Sequence, residues 1–385
     1  MLPLAAIVLA LSPTAEAQPL SEPPMMRDPL AYLDVFQERL EQVASHERMV
    51  GFAAAIIENG EVVAIHTSGE TALGSGETVT ENTLFRAASV TKTFTGTLIA
   101  QLEAEGRIDL DAPAPESLIQ LNGARQPTWR ELVSHQTGLP PNAYDNLIEA
   151  GRSAEFARTR LAGVDLICPT GQCYSYQNVA FAAVEALIEE ATGLDYEAAV
   201  DAFLLDPLGL ETAGFGAAHI QGADSWARPH RGRLRRLGSA ATDYDQLPAA
   251  AGLSLSLNDM IAWAQAHLDT QAGLPEAVVE RAFTPQTRSA RETRNLRRLQ
   301  RIDDTAYGLG WRIYEWDDRT LIAHGGALAG YGSHIVLEPE TGFAFVALWN
   351  ADFGLPRLLW PTAMDLRTGD GPGAFIDTAL ERMAR

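Results

Sequence analysis

Cysteine is nearly missing from this chain of 385 residues: Cys168 and Cys173 are the only two, in the stretch Cys-Pro-Thr-Gly-Gln-Cys. Two thiols without partner His or Cys pairs make a poor zinc site. In an oxidising compartment they are expected to close a local disulfide. So short a loop restrains little chain entropy, on the order of 2 kcal/mol, so its expected use is to hold the segment leading into Tyr176. Basic residues are also few, 29 against 50 acidic ones, for a formal charge of −21. That excludes a general nucleic-acid binder, whose phosphate contacts need a positive surface. The apolar run from Leu2 to Leu11 falls far short of the ~20 residues of a membrane-crossing helix. With Ala15-Glu16-Ala17 behind it, the run reads as an export signal cleaved after Ala17. The expected mature chain is periplasmic or secreted, without a transmembrane segment, and starts with a Pro-rich leader from Gln18 to Pro29.

Lysine is scarcer still. Of the 29 basic residues Lys92 is the one lysine, which leaves 28 arginines. Arginine keeps its proton in a protein, whereas a buried lysine can release it. Lys92 stands three residues after Ser89, in Ser-Val-Thr-Lys, where a helix is expected to begin, and residues three apart share a helix face. A serine hydroxyl needs a neighbouring base. A lysine amine serves only if its pKa falls from about 10.4 toward 7, which is roughly 4.6 kcal/mol. Burial and a helix N-terminus both push that way.

Two further groups fit the same chemistry. Tyr176-Gln177-Asn178 precedes a predicted helix. A phenol can act as general base and then general acid, and the Asn178 amide can meet a substrate carbonyl and hold Lys92. Viewed singly, Tyr176 reads as a core aromatic and Asn178 as a helix cap; only beside Ser89 and Lys92 do they read as chemistry. His324-Gly325-Gly326 ends a predicted strand. Its glycines let a substrate lie against the backbone, and the Ala327 N–H can join that of Ser89 around an oxyanion. No histidine sits in a ligand spacing, and this chemistry calls for no metal or cofactor.

A chain this long can bury a large core. Leu30 to Ala44 reads as an amphipathic helix. Gly51 to Glu58 and Glu61 to Thr67 read as strands joined by Asn59-Gly60, a strong hairpin signal. From Ser89 onward Val90, Phe94, Leu98, Ile99 and Leu102 recur at helical spacing up to Gly106. Residues 128–301 look mostly helical, with helices from Asn178 to Gly193 and from Ser256 to Leu268. Strands are expected at Gly308–Glu315, Arg319–His324, Tyr331–Leu337 and Gly342–Trp349, then a closing helix. Neither end makes a stable sheet alone. Pairing them gives a two-lobed α+β unit: 30–127 with 302–385 as the sheet lobe, 128–301 as a helical lobe, and the site in the cleft between them.

Ser-x-x-Lys, Tyr-x-Asn and the strand-end His-Gly-Gly, in that order, resemble the class C β-lactamase, D-alanyl-D-alanine carboxypeptidase and esterase superfamily. Supporting stretches are Gly106–Asp111, Leu132–Pro140, Pro207–Leu210, Gly252-Leu253 leading to Asn258-Asp259, and Tyr307–Trp311. The resemblance covers about residues 30–365 and implies the β-lactamase/transpeptidase-like fold, an antiparallel sheet flanked by helices. It implies Ser89 as nucleophile, Lys92 and Tyr176 as proton handlers, and Asn178 as a substrate and scaffold contact. His324 would take the place of the third-motif cation, with Asn142 approaching the substrate from the loop after Pro140. The implied substrates are small molecules: an ester, a D-amino-acid peptide or amide, or a β-lactam.

The β-lactamases carry a lysine where this chain has His324. A neutral imidazole binds a carboxylate less well than an ammonium, which lowers the expectation of β-lactam hydrolysis. Twelve arginines lie between Arg228 and Arg301. They include Arg231, Arg233, Arg235 and Arg236 and then Arg288, Arg291, Arg294, Arg297 and Arg298; one expectation is that one of these stretches rims the cleft and supplies a carboxylate anchor, the other a solvated face.

Overall fold

The computed structural model describes residues 30–269, 273–299, 301–371 and 373–384. The expected export signal and leader lie outside the described residues. Strands are β1 (Gly51–Glu58), β2 (Glu61–Gly69), β3 (Phe85–Arg86), β4 (Gly214–Phe215), β5 (His230–Arg231), β6 (Arg236–Leu237) and β7 (Leu253–Leu255). Then follow β8 (Thr287–Arg288), β9 (Ile302–Tyr307), β10 (Arg312–Trp316), β11 (Arg319–Leu328), β12 (Tyr331–Glu338) and β13 (Phe343–Trp349).

The main sheet runs β2-β1-β13-β12-β11-β10-β9-β8, and its pairings are antiparallel. The two chain ends therefore share one sheet. Asn59 and Gly60 both take positive φ, the left-handed pair that a tight hairpin needs. Every residue of β1 is buried, because the sheet is covered on both sides. Phe52, Ala54 and Ile56 meet Phe36, Leu40 and Trp360 in one cluster; Ala53, Ala55 and Ile57 meet Phe94, Val346 and Trp263 in the other. A strand buried on both faces reads as a continuous apolar run rather than an alternation. Helix α1 (Tyr32–Ala44) and the helix Leu359–Thr368 cover the first side. Helix α2 (Thr91–Ala104) and the helix Leu257–Leu268 cover the second. No helix among the described residues is long and apolar enough to cross a membrane.

One expected strand is displaced. Gly308–Glu315 is not continuous; β9 ends at Tyr307 and β10 begins at Arg312, with a turn between. Leu309 and Trp311 look like strand positions because both are buried, but they are buried on a turn packed against α2. Gly310 has φ +76, and a Cβ there would lie 2.0 Å from the Lys92 carbonyl oxygen. The expected Asn178–Gly193 helix is split into Asn178–Phe181 and Val184–Thr192, capped by Gly193 at φ +74.

Candidate active site

From Thr83 to Ala100 every residue is buried except Ser89. The chain ahead of it is bent: Ala88 has φ +49, a left-handed conformation costing a non-glycine residue about 1–2 kcal/mol. Its neighbours hold it there. The Ser333 hydroxyl donates to the Ala87 carbonyl at 2.6 Å, and the turn Ala88–Val90 packs on β11. Gly326 makes that fit possible, since a Cβ there would meet Ser333 Oγ at 2.1 Å and Ala87 O at 2.3 Å. The motif glycine on β11 thus seats the Ser89 turn, with Ala327 the next residue along the strand.

Lys92 lies in the first turn of α2 and is fully buried. Its Nζ donates to Asn178 Oδ1 at 2.7 Å and to the Ala250 carbonyl at 2.8 Å, and stands 3.5 Å from Ser89 Oγ. Burial drives its pKa well below 10.5; Arg312 adds to the fall and Asp145 opposes it. A neutral amine has two N–H groups and one lone pair. The two donors are taken by Asn178 and Ala250, and the lone pair is left for the serine hydroxyl. The Asn178 amide is oriented by Asp145, whose Oδ2 accepts from Nδ2 at 2.7 Å. Asp145 is itself buried, which raises its pKa, and Tyr244 donates to it at 3.3 Å.

Tyr176 lies over the same point, with Lys92 Nζ 4.8 Å from its ring centre. Burial pushes its pKa up to about 12, while Arg312 and a hydrogen bond with the Ser89 hydroxyl pull it down. The phenol is therefore neutral and can donate a proton. The Arg312 guanidinium sits 5.3 Å from the Tyr176 ring and 5.9 Å from the Tyr307 ring, and it pairs with Glu292. His324 is completely buried, and burial with Arg312 and Lys92 nearby keeps its ring neutral, far below the usual imidazole value. Its Nδ1 donates to Gly325 O at 3.0 Å, so its Nε2 accepts from the Tyr307 hydroxyl at 3.1 Å. Both nitrogens are spent on the protein.

The structure thus gathers Ser89, Lys92, Tyr176 and Asn178 around one point, with β11 beneath. Asn142 is exposed on the rim at φ +56, and its N–H donates to the Tyr176 carbonyl at 2.9 Å. Cys168 and Cys173 are bonded. Their loop rests on residues 136–138, with Gly171 donating to Gln136 O at 2.8 Å and Ile167 to Gly138 O at 2.8 Å. The His324 ring lies 6.4 Å from the Tyr176 ring, with its Nε2 taken up by Tyr307. Arg233 borders a recess with His46, Arg48, Leu380 and Met383, and Arg228 pairs with Glu77. The cation beside Tyr176 is instead Arg312, immediately after the Tyr307–Trp311 stretch. Asp145, Ala250 and Arg312 were not singled out in the sequence. Asp145 had one faint signal, an acid five residues past Pro140; a backbone carbonyl has none.

A buried α+β scaffold that exposes one serine hydroxyl beside a desolvated amine and a neutral phenol defines a class, the serine hydrolases. Within it, the chain belongs to the Beta-lactamase family, whose sequence profile matches residues 34–366. It is 27% identical over 330 residues to penicillin-binding protein 4 of Amycolatopsis lactamdurans, covering 82% of this chain and 84% of that one. It is 26% identical over 358 residues to esterase EstB of Burkholderia gladioli, covering 81% and 89%. The D-aminopeptidase of Gluconobacter oxydans (strain 621H) is 28% identical over 342 residues. That match covers 82% of this chain but only 59% of the aminopeptidase. In fold it is similar to the octameric penicillin-binding protein homologue from Pyrococcus abyssi, with a TM-score of 0.78 at 22% identity over 89% of this chain and 80% of that one.

Proposed function

We propose that this serine hydrolase is an exported enzyme that cleaves an ester or amide bond through an acyl group on Ser89. The observation that carries the reading is the pair of short bonds from Lys92 to Asn178 and Ala250, which leaves a desolvated amine facing Ser89. As Ser89 Oγ bonds to the substrate carbonyl carbon, its proton passes to Lys92 Nζ. The oxyanion forms against the N–H groups of Ser89 and Ala327. When the bond to the leaving group breaks, the Tyr176 phenol gives that group its proton and regains one from Lys92. Water then attacks the acyl carbon by the reverse relay, releasing the acid and free Ser89.

Substrates without an obligatory carboxylate suit this site best. His324 has no nitrogen to spare, Lys92 is buried and Arg312 is paired with Glu292. A carboxylic ester or a D-amino-acid-containing peptide or amide therefore ranks ahead of a β-lactam. The likeness to penicillin-binding protein 4 keeps one other reading open: a penicillin-recognising or peptidoglycan-recognising protein that acylates with little turnover. Intact-mass time courses with a fluorophosphonate and with penicillin separate the two. The hydrolase reading expects fluorophosphonate labelling of Ser89, a transient penicilloyl adduct at most, and turnover of nitrophenyl esters or a D-alanyl dipeptide. A lasting penicilloyl adduct without turnover of any ester, dipeptide or chromogenic cephalosporin supports the receptor, and no labelling rejects both.

A further inference from the structure

The arginines from Arg228 to Arg236 are absorbed by neither the fold nor the hydrolytic site. Between Ser225 and Thr242 there are five arginines and no acidic residue, in a chain whose overall charge is −21. Strands β5 and β6 form a two-stranded hairpin, His230 opposite Leu237 and Arg231 opposite Arg236. Its turn closes through Arg235 N–H donating to Gly232 O at 3.1 Å, with Gly232 at φ +65 and Arg235 at φ +49. The base is tied to the main sheet. Gly232 N–H donates to Asp352 at 2.8 Å, His230 N–H to the Asn350 carbonyl at 3.2 Å, and Asp352 N–H to His230 O at 3.0 Å.

The tip of this anchored hairpin is unpartnered. Arg228 pairs with Glu77, but among the described residues no carboxylate oxygen lies within 4.0 Å of a guanidinium nitrogen of Arg231, Arg233, Arg235 or Arg236; the Asp352 carboxylate accepts from the Gly232 N–H instead. Leu234 is 74% exposed and Leu237 63%, the two highest values among the large apolar side chains described. Arg48, Arg233 and the exposed Met383 extend the same face around a recess of about 390 Å³, which also holds one acid, Glu47. Isolated exposed apolar residues need no explanation. Two leucines set among four free guanidiniums are different: cations attract an anionic interface and apolar side chains enter its acyl boundary.

We infer that the hairpin 230–237 docks this enzyme on an anionic lipid surface, with the arginines on headgroup phosphates and Leu234 and Leu237 inserted among the acyl chains. Charges beyond about 10 Å are screened at 0.1 M salt, and the acids beside the hairpin, Asp352 and Glu47, are outnumbered by Arg48, Arg231, Arg233, Arg235 and Arg236. The hairpin also touches the turn that follows the strand under Ser89: His230 N–H lies 3.4 Å from Gly330 O, three residues past Ala327 between β11 and β12. Docking would hold the hydrolytic lobe beside the bilayer. The inference stands on surface chemistry alone and does not depend on the hydrolase reading.

Vesicle sedimentation tests it, using the full chain with phosphatidylglycerol/phosphatidylcholine vesicles and pure phosphatidylcholine vesicles, at low and high salt. Binding is expected to the anionic vesicles and to weaken with salt. Each arginine near such a surface contributes about fivefold to partitioning, so the triple change R233Q/R235Q/R236Q should weaken it by roughly 100-fold. L234S/L237S should also weaken it, by about tenfold or more. Both variants should keep the Tm of the unaltered protein, which shows that they fold, and should hydrolyse a soluble nitrophenyl ester as it does. Failure of the unaltered protein to bind anionic vesicles overturns the inference, and so does binding that neither variant reduces. It also fails if the arginine variant raises KM for a soluble acidic ester, since the arginines then serve substrate rather than lipid.

Discussion

Lys92 concentrates the physical tension of this protein. Its amine is fully buried, and burial holds its pKa well below 10.5, so between that lowered value and 10.5 the unfolded chain holds a proton that the folded chain does not. Stability then rises with pH across the window between the lowered value and 10.5. Lys92→Met should raise Tm at pH 7 and abolish ester hydrolysis, and the Tm gain should shrink as pH approaches 10. Lys92→Arg keeps the charge but removes the titratable amine, and kcat should drop by about 10²–10⁴; unchanged turnover would exclude the amine as base. Arg312 acts through its neighbours, lowering the pKa of both Lys92 and Tyr176. Arg312→Gln should therefore move the acidic limb of the kcat/KM profile, set by Lys92, and the alkaline limb, set by Tyr176, to higher pH. Arg312→Lys should restore much of the original profile. A loss of rate with both limbs fixed would assign Arg312 a packing role only.

Among the elements, the meeting of α2 and β11 with the turns beside them decides the site. The spacing of Val90, Phe94, Leu98, Ile99 and Leu102 announced α2. Nothing local announced that Gly96 would face the Leu309 carbonyl, where a Cβ would fall 1.9 Å from the oxygen. Gly326 has the same role on β11. Gly326→Ala would push its methyl into Ser333 Oγ and Ala87 O. Overpacking of this kind costs about 1–3 kcal/mol and would lift the Ser89 turn from the strand. The expected result is a lower Tm, slower acylation by the fluorophosphonate and a kcat reduced more than tenfold. A Cβ at Gly325 would meet His334 ring atoms at 3.2 and 3.3 Å and Ser333 O at 3.9 Å, none as close as at Gly326, so Gly325→Ala should do less. An equal effect of the two changes would count against the seating role of Gly326.

Across the entire fold, acid should unfold this protein through its histidines. His135, His267, His324 and His334 are buried, and burial is the largest cause holding each below the usual 6.5. His267 falls to about 4 and His334 to about 3. Their unfolded counterparts take up protons from about pH 6.5 downward while the folded rings do not, so stability is present above 6.5 and is lost as pH falls toward the folded values. His334 has neither ring nitrogen bonded among the described residues. His334→Leu should reduce the acid slope of stability by about 1.4 kcal/mol per pH unit below 6.5, read from denaturant midpoints between pH 4 and 8. An unaltered slope would exclude it as a contributor.

Local rules were enough for the pieces with short-range physics: the Asn59-Gly60 hairpin, the helix after Ser89, the Cys168–Cys173 bond and the lone titratable lysine. The same rules misplaced Gly308–Glu315, because burial on a turn packed against α2 leaves the same apolar trace as burial on a strand. They left open whether Arg233, Arg235 and Arg236 rim the cleft or form a solvated face, since charge density along a chain does not tell which guanidinium is desolvated. Only folding brought Arg312 to the Tyr176 ring, oriented the Asn178 amide through Asp145, and turned the Ala250 carbonyl onto Lys92. Those contacts join groups dozens to hundreds of residues apart, and no window of neighbouring residues encodes them.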